Sequence, residues 1–245
     1  MKDVFVPDGL PVADAYRRIT HLGIGAHQDD LEFMAFHGIV AGYEKRSFGG
    51  VTCTGSDPVR LQEQRRAAEI GRYGVMIQLG HPSRDLTGLR DELREILAAT
   101  RPQVVYTHNP ADKHETHIAV LRKTLEALRE FPPARVIGCE VWRDLDWLPD
   151  KDKVVMDVSG HEKLAAGLHA VFQSQLTGKR YDLAVEGRRR ANATFFEPRA
   201  DDKTTAVIFG MDLTPLVVDK SLDPVAYVAG FIEKFKADVA GKWRS

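Results

Sequence analysis

Gly25-Ala26-His27-Gln28-Asp29-Asp30-Leu31-Glu32 stands between a short apolar run, His21–Ala26, and a helical pattern over Leu31–Tyr43. A strand that feeds a helix through a tight loop is the opening of a βαβ unit. The alternation recurs, with further candidate strands at Gly50–Thr54, Val75–Leu79, Val104–Thr107, Arg135–Trp142, Val154–Val158 and Thr205–Phe209. Between and after them lie helical patterns at Arg60–Tyr73, Gly88–Ala99, His117–Glu130, His161–Gln175, Tyr181–Phe195 and Asp223–Ala240. The expected architecture is α/β: a doubly wound, three-layer Rossmann-like fold around a mostly parallel sheet. Residues 1–245 are expected to form one domain. In it, 1–150 make the core and 151–245 a small C-terminal lobe, divided near Trp147–Asp152 where the pattern is interrupted.

Composition narrows the classes of function. The 245 residues are 43% apolar and 28% charged, an ordinary globular makeup with enough apolar residues for a sizeable core. Thirty-four basic residues balance 35 acidic ones, which leaves no electrostatic footprint for nucleic acid or an anionic membrane. No stretch approaches the roughly 20 apolar residues of a membrane span, and the N-terminus has no apolar signal region, so the cytoplasm is the expected compartment. Cys53 and Cys139 each lie in an apolar strand-like run and read as reduced core thiols.

In a parallel sheet the loop after a strand lies at the carboxyl edge, where ligand sites form. His27 followed by Asp29 and Asp30 on such a loop can offer a nitrogen and an oxygen to one metal while leaving the second carboxylate free. Alone, the pattern is equally explained by acidic residues capping a helix N-terminus. A second cluster strengthens it. Val104–His108 leaves another strand, and His114-Glu115-Thr116-His117 then opens a helix. Histidines three apart on a helix share a face. Two such loops on one sheet edge can gather two imidazoles and a carboxylate as ligands, plus a spare carboxylate and imidazole for proton transfer.

These two loops resemble the hallmark of the LmbE-like (PIG-L) zinc-dependent N-deacetylases, an Ala-His-x-Asp-Asp-x-Glu loop followed later by His-x-x-His. The resemblance extends to Thr52–Gly55, to Arg60 with Glu63, to Ala67-Ala68, and to Lys163, His169 and Ser174-Gln175. It implies an LmbE-like fold with one Zn²⁺ per chain held by His27, Asp30 and His117. Asp29 would be the general base and His114 an electrostatic or acid assistant, with Arg60 and Asp112 near the substrate. The implied activity is removal of an acetyl group from the amide nitrogen of a small sugar of the N-acetylglucosamine kind or an amino-sugar conjugate. An amidase of a larger thiol-sugar conjugate, a metal-dependent phosphoesterase and a non-catalytic sugar-binding member are the alternatives. Two imidazoles and a carboxylate also accept other divalent ions.

The chain departs from that family pattern in places. Gln28 stands where proline is usual, His37-Gly38 replaces Gly-Gly, and Thr116 replaces the aspartate expected to support the first histidine, leaving Asp112 or Glu115 to compensate. His37 and His108 each read as a structural histidine or, respectively, a substrate contact and a fourth ligand. Trp142 and Trp147 could stack on a sugar or pack in the core. His161 and His169 have no carboxylate partner close in sequence. The cluster Arg188–Arg190 reads as a solvated helix face or an anion site. Gly23-x-Gly25 lacks the third glycine of a dinucleotide fingerprint. The apolar run Val207–Val218 wants a further strand or a partner surface, which makes a homo-oligomer an expectation.

Overall fold

The computed structural model describes residues 3–244. Its strands are β1 (Asp3–Phe5), β2 (His21–Gly25), β3 (Phe48–Thr54), β4 (Val75–His81), β5 (Val104–His108), β6 (Arg135–Cys139), β7 (Lys153–Asp157) and β8 (Val207–Asp212). The helices are α1 (Val12–Arg17), α2 (Asp30–Met34), α3 (Phe36–Gly42), α4 (Pro58–Ile70), α5 (Leu89–Thr100), α6 (Glu115–Leu128), α7 (Glu162–His169), α8 (Gln173–Leu176), α9 (Tyr181–Phe195), α10 (Thr214–Val218) and α11 (Pro224–Lys242). These eight strands join one sheet in the order β1-β4-β3-β2-β5-β6-β8-β7.

The strands β4, β3, β2, β5 and β6 are mutually parallel, while β1 pairs antiparallel with β4. β8 is antiparallel to both β6 and β7, so among the described strands only β1 and β8 run against the rest. The fold is thus the mostly parallel α/β arrangement expected. Each face carries its own core. Leu22 and Ile24 of β2 pack with Leu93 and Leu97 of α5 and Val120 and Leu125 of α6. On the other face Leu31, Phe36 and Ile39 of α2 and α3 pack with Ala67 of α4 and Leu168 of α7.

Gly23 belongs to this packing and not to a nucleotide fingerprint. A Cβ there would stand 2.8 Å from Phe48 and 2.9 Å from Leu31, so only glycine lets α2 lie directly on β2.

Several elements differ from the expected spans. The pattern over Leu31–Tyr43 is two helices, because Ala35 leaves helical geometry at φ −100° and ψ 18°. The pattern over His161–Gln175 likewise divides into α7 and α8. The sixth strand stops at Cys139, where the Glu140 carboxylate takes over as acceptor for the Phe209 N–H of β8 at 3.1 Å. The run Val207–Val218 finds its strand partners inside the chain: β8 sits between β6 and β7, and Leu216 and Val217 of α10 are buried. Among the described residues no helix is long and apolar enough to cross a membrane. Cys53 and Cys139 are free and buried, with burial pushing both thiols well above their usual range.

β2 pairs with β3 on one side and β5 on the other, so the chain leaves this strand and later returns to its opposite edge. Such a switch point opens a crevice at the carboxyl ends of the two strands. The loops that begin at Ala26 and Asn109 both empty into it.

Candidate metal centre and active site

Backbone hydrogen bonds shape the first loop. The Ala26 N–H donates to Nε2 of His108 at 2.9 Å, and the His27 N–H donates to Oδ2 of Asp30 at 2.7 Å. Asp29 sits at φ 100°, a left-handed conformation that costs a non-glycine residue roughly 1–3 kcal/mol. It is held there by Oε1 of Gln64, which accepts the Asp29 N–H at 3.2 Å. Gln28, in the place of the usual proline, ties the loop to the end of β3 by donating to the carbonyls of Thr54 at 3.2 Å and Gly55 at 3.3 Å. Hydrogen bonds thus do what a rigid ring would otherwise do.

These constraints bring His27, Asp30 and His117 together as a group of possible metal ligands. Nδ1 of His27 and Nε2 of His117 are 3.3 Å apart. Each lies 3.4 Å from an oxygen of Asp30. Ligands about 2.0–2.1 Å from a tetrahedral zinc are separated by about 3.3–3.4 Å, so the donor spacing fits such an ion. The donor set, two imidazoles and one carboxylate, is the three-ligand kind found at catalytic rather than structural zinc sites.

The charges around this group are divided. Burial opposes ionisation of Asp30, but His117, His108 and His27 together hold its carboxyl well below the usual range. Burial, and then the neighbouring Asp30 carboxylate, raise Asp29 well above it. Two adjacent carboxyls are therefore driven apart, one kept as an anion and the other disposed to take up a proton.

His117 is fully buried, and its Nδ1 lies 3.3 Å from Oδ2 of Asp112. A carboxylate behind an imidazole fixes its orientation and its tautomer. The other Asp112 oxygen accepts the His114 backbone N–H at 3.0 Å. Asp112, grouped with Arg60 as a substrate contact on resemblance, thus has both oxygens turned into the protein, and it does not line the cavity.

His114 does line the cavity, with its ring stacked on His117 at 4.6 Å. Burial, followed by the charges of His117 and His27, lowers its pKa, and neither Asp112 nor Glu115 hydrogen-bonds its ring. It therefore faces the site as a neutral imidazole. His108 stacks behind His117 at 3.8 Å, fully buried, and burial drives its pKa down to about 3. Because its Nε2 already accepts the Ala26 N–H, His108 positions the loop and has no lone pair there for a metal.

The cavity measures about 690 Å³ and is lined by His27, Asp29, Asp30, His114 and Arg60, with Trp142 from the loop after β6, Gln175 of α8, Lys179, and Tyr181 and Arg188 of α9. Nη2 of Arg60 donates to the Gln28 carbonyl at 3.2 Å and also to Oε1 of Gln175. Trp142 is a wall of the cavity, whereas Trp147 packs against the core.

The three arginines of α9 have three different fates. Arg188 lines the cavity, Arg189 is buried and donates to the Glu32 and Phe33 carbonyls at 2.9 and 3.0 Å, and Arg190 is exposed. His37 hydrogen-bonds the Tyr106 hydroxyl at 2.9 Å away from the cavity. His169 is buried edge-on to Phe33, and His161 is exposed at the start of α7.

A doubly wound sheet whose switch point gathers three residues that could hold a metal ion, with a further carboxylate beside them, defines the class, an α/β protein with a candidate metal centre. A family model described as "PIG-L: GlcNAc-PI de-N-acetylase" matches residues 22–128, which include both ligand-bearing loops, and the resemblance to LmbE-like proteins holds over that segment.

Solved structures share the fold. The conserved protein TT1542 from Thermus thermophilus is 19% identical with a TM-score of 0.65, over 84% of this chain and 99% of that one. The hydratase GalB from Pseudomonas putida is 16% identical with a TM-score of 0.64, over 84% and 100%. An N,N'-diacetylchitobiose deacetylase from Pyrococcus horikoshii is 14% identical with a TM-score of 0.58, over 81% and 85%.

Proposed function

We propose that the protein is a metal-dependent deacetylase that removes an acetyl group from the amide nitrogen of a small N-acetylated sugar or amino-sugar conjugate. The observation that carries this reading is the grouping of His27, Asp30 and His117 as possible metal ligands, with His27 and Asp30 lining one cavity beside Asp29. The family description and the Pyrococcus horikoshii neighbour point to the same chemistry.

A divalent ion held by His27, Asp30 and His117, zinc in the first instance, would supply the positive charge that acidifies water and polarises the amide carbonyl. Asp30 serves as an anionic ligand because its histidine neighbours keep it ionised. Asp29 accepts the proton released from water and passes it to the departing nitrogen as the C–N bond breaks, giving acetate and a free amine. Its raised pKa suits the second half of that transfer. His114, neutral and at the cavity wall, can donate one N–H to the carbonyl oxygen as charge develops there. Gln64 and Asp112 touch no reacting atom; they hold Asp29 and His117 in place.

Hydratase chemistry at the same site is favoured by one observation, the basic lining of the cavity, which suits a carboxylated substrate such as the 4-carboxy-2-hydroxymuconate in the description of GalB. Acetate release separates the two. Zinc-loaded protein incubated with a panel of N-acetylated sugars should release acetate about 10²–10⁴ times faster than Asp29→Ala. Release no faster than that of the variant across the panel, with one zinc bound per chain, would overturn the deacetylase reading.

A further inference from the structure

Four cationic side chains, Arg60, Lys179, Arg180 and Arg188, border the cavity, and among the described residues its only acidic members are Asp29 and Asp30 at the metal group. Arg180 is neutralised by a two-pronged contact with Asp182 at 2.9 and 2.7 Å. Lys179 and Arg188 have no such partner among the described residues. Lys179 is laid over the Trp142 ring, its ammonium 4.5 Å from the centroid. Arg188 donates Nη1 to the Val141 carbonyl, and its Nε and Nη2 have no hydrogen-bond partner among the described residues. Glu140, a carboxylate that feels Arg188, is buried, and its oxygens already accept from Asn192, Phe209 and Leu145.

Two uncompensated cations fixed to the wall of a partly desolvated cavity form an anion trap, and an arginine fork with two free N–H groups matches carboxylate or phosphate oxygens. Their place relative to the chemistry follows from the rings between. Trp142 stands 6.0 Å from His114, and its ring also lies under Lys179. The Lys179 ammonium is therefore no more than about 10.5 Å from the His114 ring, and Arg188 is anchored at Val141, the residue before Trp142.

We infer that Lys179 and Arg188 form an anion subsite, and that the substrate is an N-acyl compound carrying a carboxylate or phosphate about one sugar ring from the amide. The inference rests on this cavity being the substrate site. Neither residue falls in the stretch matched by the family model, which ends at 128. The subsite thus lies outside the stretch that carries the family match.

Equilibrium binding to the full chain with zinc bound tests it, using N-acetylglucosamine 6-phosphate as the phosphate probe, N-acetylmuramic acid as the carboxylate probe and N-acetylglucosamine as the neutral one. At least one anionic probe should bind about tenfold or more tightly than the neutral sugar, the margin of one charge-assisted pair. The preference should shrink with added salt and disappear in the Lys179→Gln/Arg188→Gln double variant. Lys179→Gln alone, at an exposed position, should lose part of it and serves as the check against misfolding. Which anionic probe wins identifies the anion. Equal binding of all three probes, no binding of either anionic probe, or a preference unchanged in both variants would overturn the proposal. Acetate release from the same probes is read separately. Tight anion binding without acetate leaves the subsite standing and removes deacetylation, while acetate release with no anion preference does the reverse.

Discussion

The carboxamide of Gln64 holds the backbone of Asp29: its Oε1 accepts the Asp29 N–H at 3.2 Å, while its Nε2 donates to Glu32 at 2.8 Å. Glu32 is in turn fixed by the Tyr73 hydroxyl at 2.6 Å. A residue held at φ 100° needs such an external tie, because its own backbone preference would carry it out of the position proposed for the base. Gln64→Leu keeps the volume and removes the tie. Turnover should fall about 10–100-fold, the usual consequence of displacing a catalytic group by an ångström or less. Zinc stoichiometry should stay at one per chain. Unchanged turnover in this variant would mean that Asp29 holds its conformation without Gln64.

Metal affinity should divide the histidine loop into ligands and supports. His117→Ala removes a ligand and should abolish stoichiometric zinc binding, measured by competition with a chromophoric chelator. Asp112→Asn leaves the ligand but weakens the carboxylate behind Nδ1, and should loosen zinc about 10–100-fold. His108→Phe, away from the cavity, should retain zinc although the Ala26 N–H loses its acceptor. Loss of zinc in His108→Phe equal to that in His117→Ala would place His108 among the ligands.

The proposed metal group was legible in the sequence because each half is contiguous: His27 with Asp30, and His114 with His117, are short patterns on loops whose strand-to-helix setting periodicity reveals. The supports were not. Gln64 is one polar residue on a polar helix, and nothing in its neighbours marks it as the partner of a backbone N–H 35 positions away. Asp112 was visible as a carboxylate near the site, yet its direction toward His117 depends on how the loop turns after β5. Lys179 and Arg188 come from α9 and the turn before it, whose approach to β2 no local pattern encodes, so Lys179 gave no signal and Arg188 read as part of a uniform basic cluster. β1 escaped notice because three residues are too few to show alternation. The insertion of β8 between β6 and β7 is likewise a matter of pairing, which chain order does not reveal.

His169 should make the fold acid-sensitive. Burial, and then the charge of Arg189, lower its pKa from 6.5 to about 3. The unfolded chain therefore binds a proton that the folded one refuses, and stability conferred by the neutral ring is present above about pH 6.5 and is lost as pH falls toward 3. The slope from this group approaches about 1.4 kcal/mol per pH unit inside that window. His169→Leu should flatten it, so the melting temperatures of variant and wild type should converge, or cross, between pH 7 and pH 5. Parallel curves for the two proteins would show that His169 titrates normally or that other groups govern the acid limb.

Arg188 and Arg189 are sequence neighbours whose loss should have opposite signatures. Helical geometry turns consecutive side chains about 100° apart, so one faces the cavity and the other the interior. Arg189 is fully buried, stacks 4.5 Å over Phe36, and donates to the Glu32 and Phe33 carbonyls, tying α9 to the end of the ligand-bearing helix. Burial lowers its pKa to about 9, so near neutral pH it remains a cation. Arg189→Met strands two carbonyls and should cost about 1–3 kcal/mol. For a chain of this size that is a fall of about 2–12 °C in melting temperature. Arg188→Met has a half-exposed side chain to lose and should shift stability by no more than about 0.5 kcal/mol while weakening anionic ligands. If Arg188→Met proved the more destabilising of the two, its contact with the Val141 carbonyl would be structural, and the free fork assigned to the ligand would not exist.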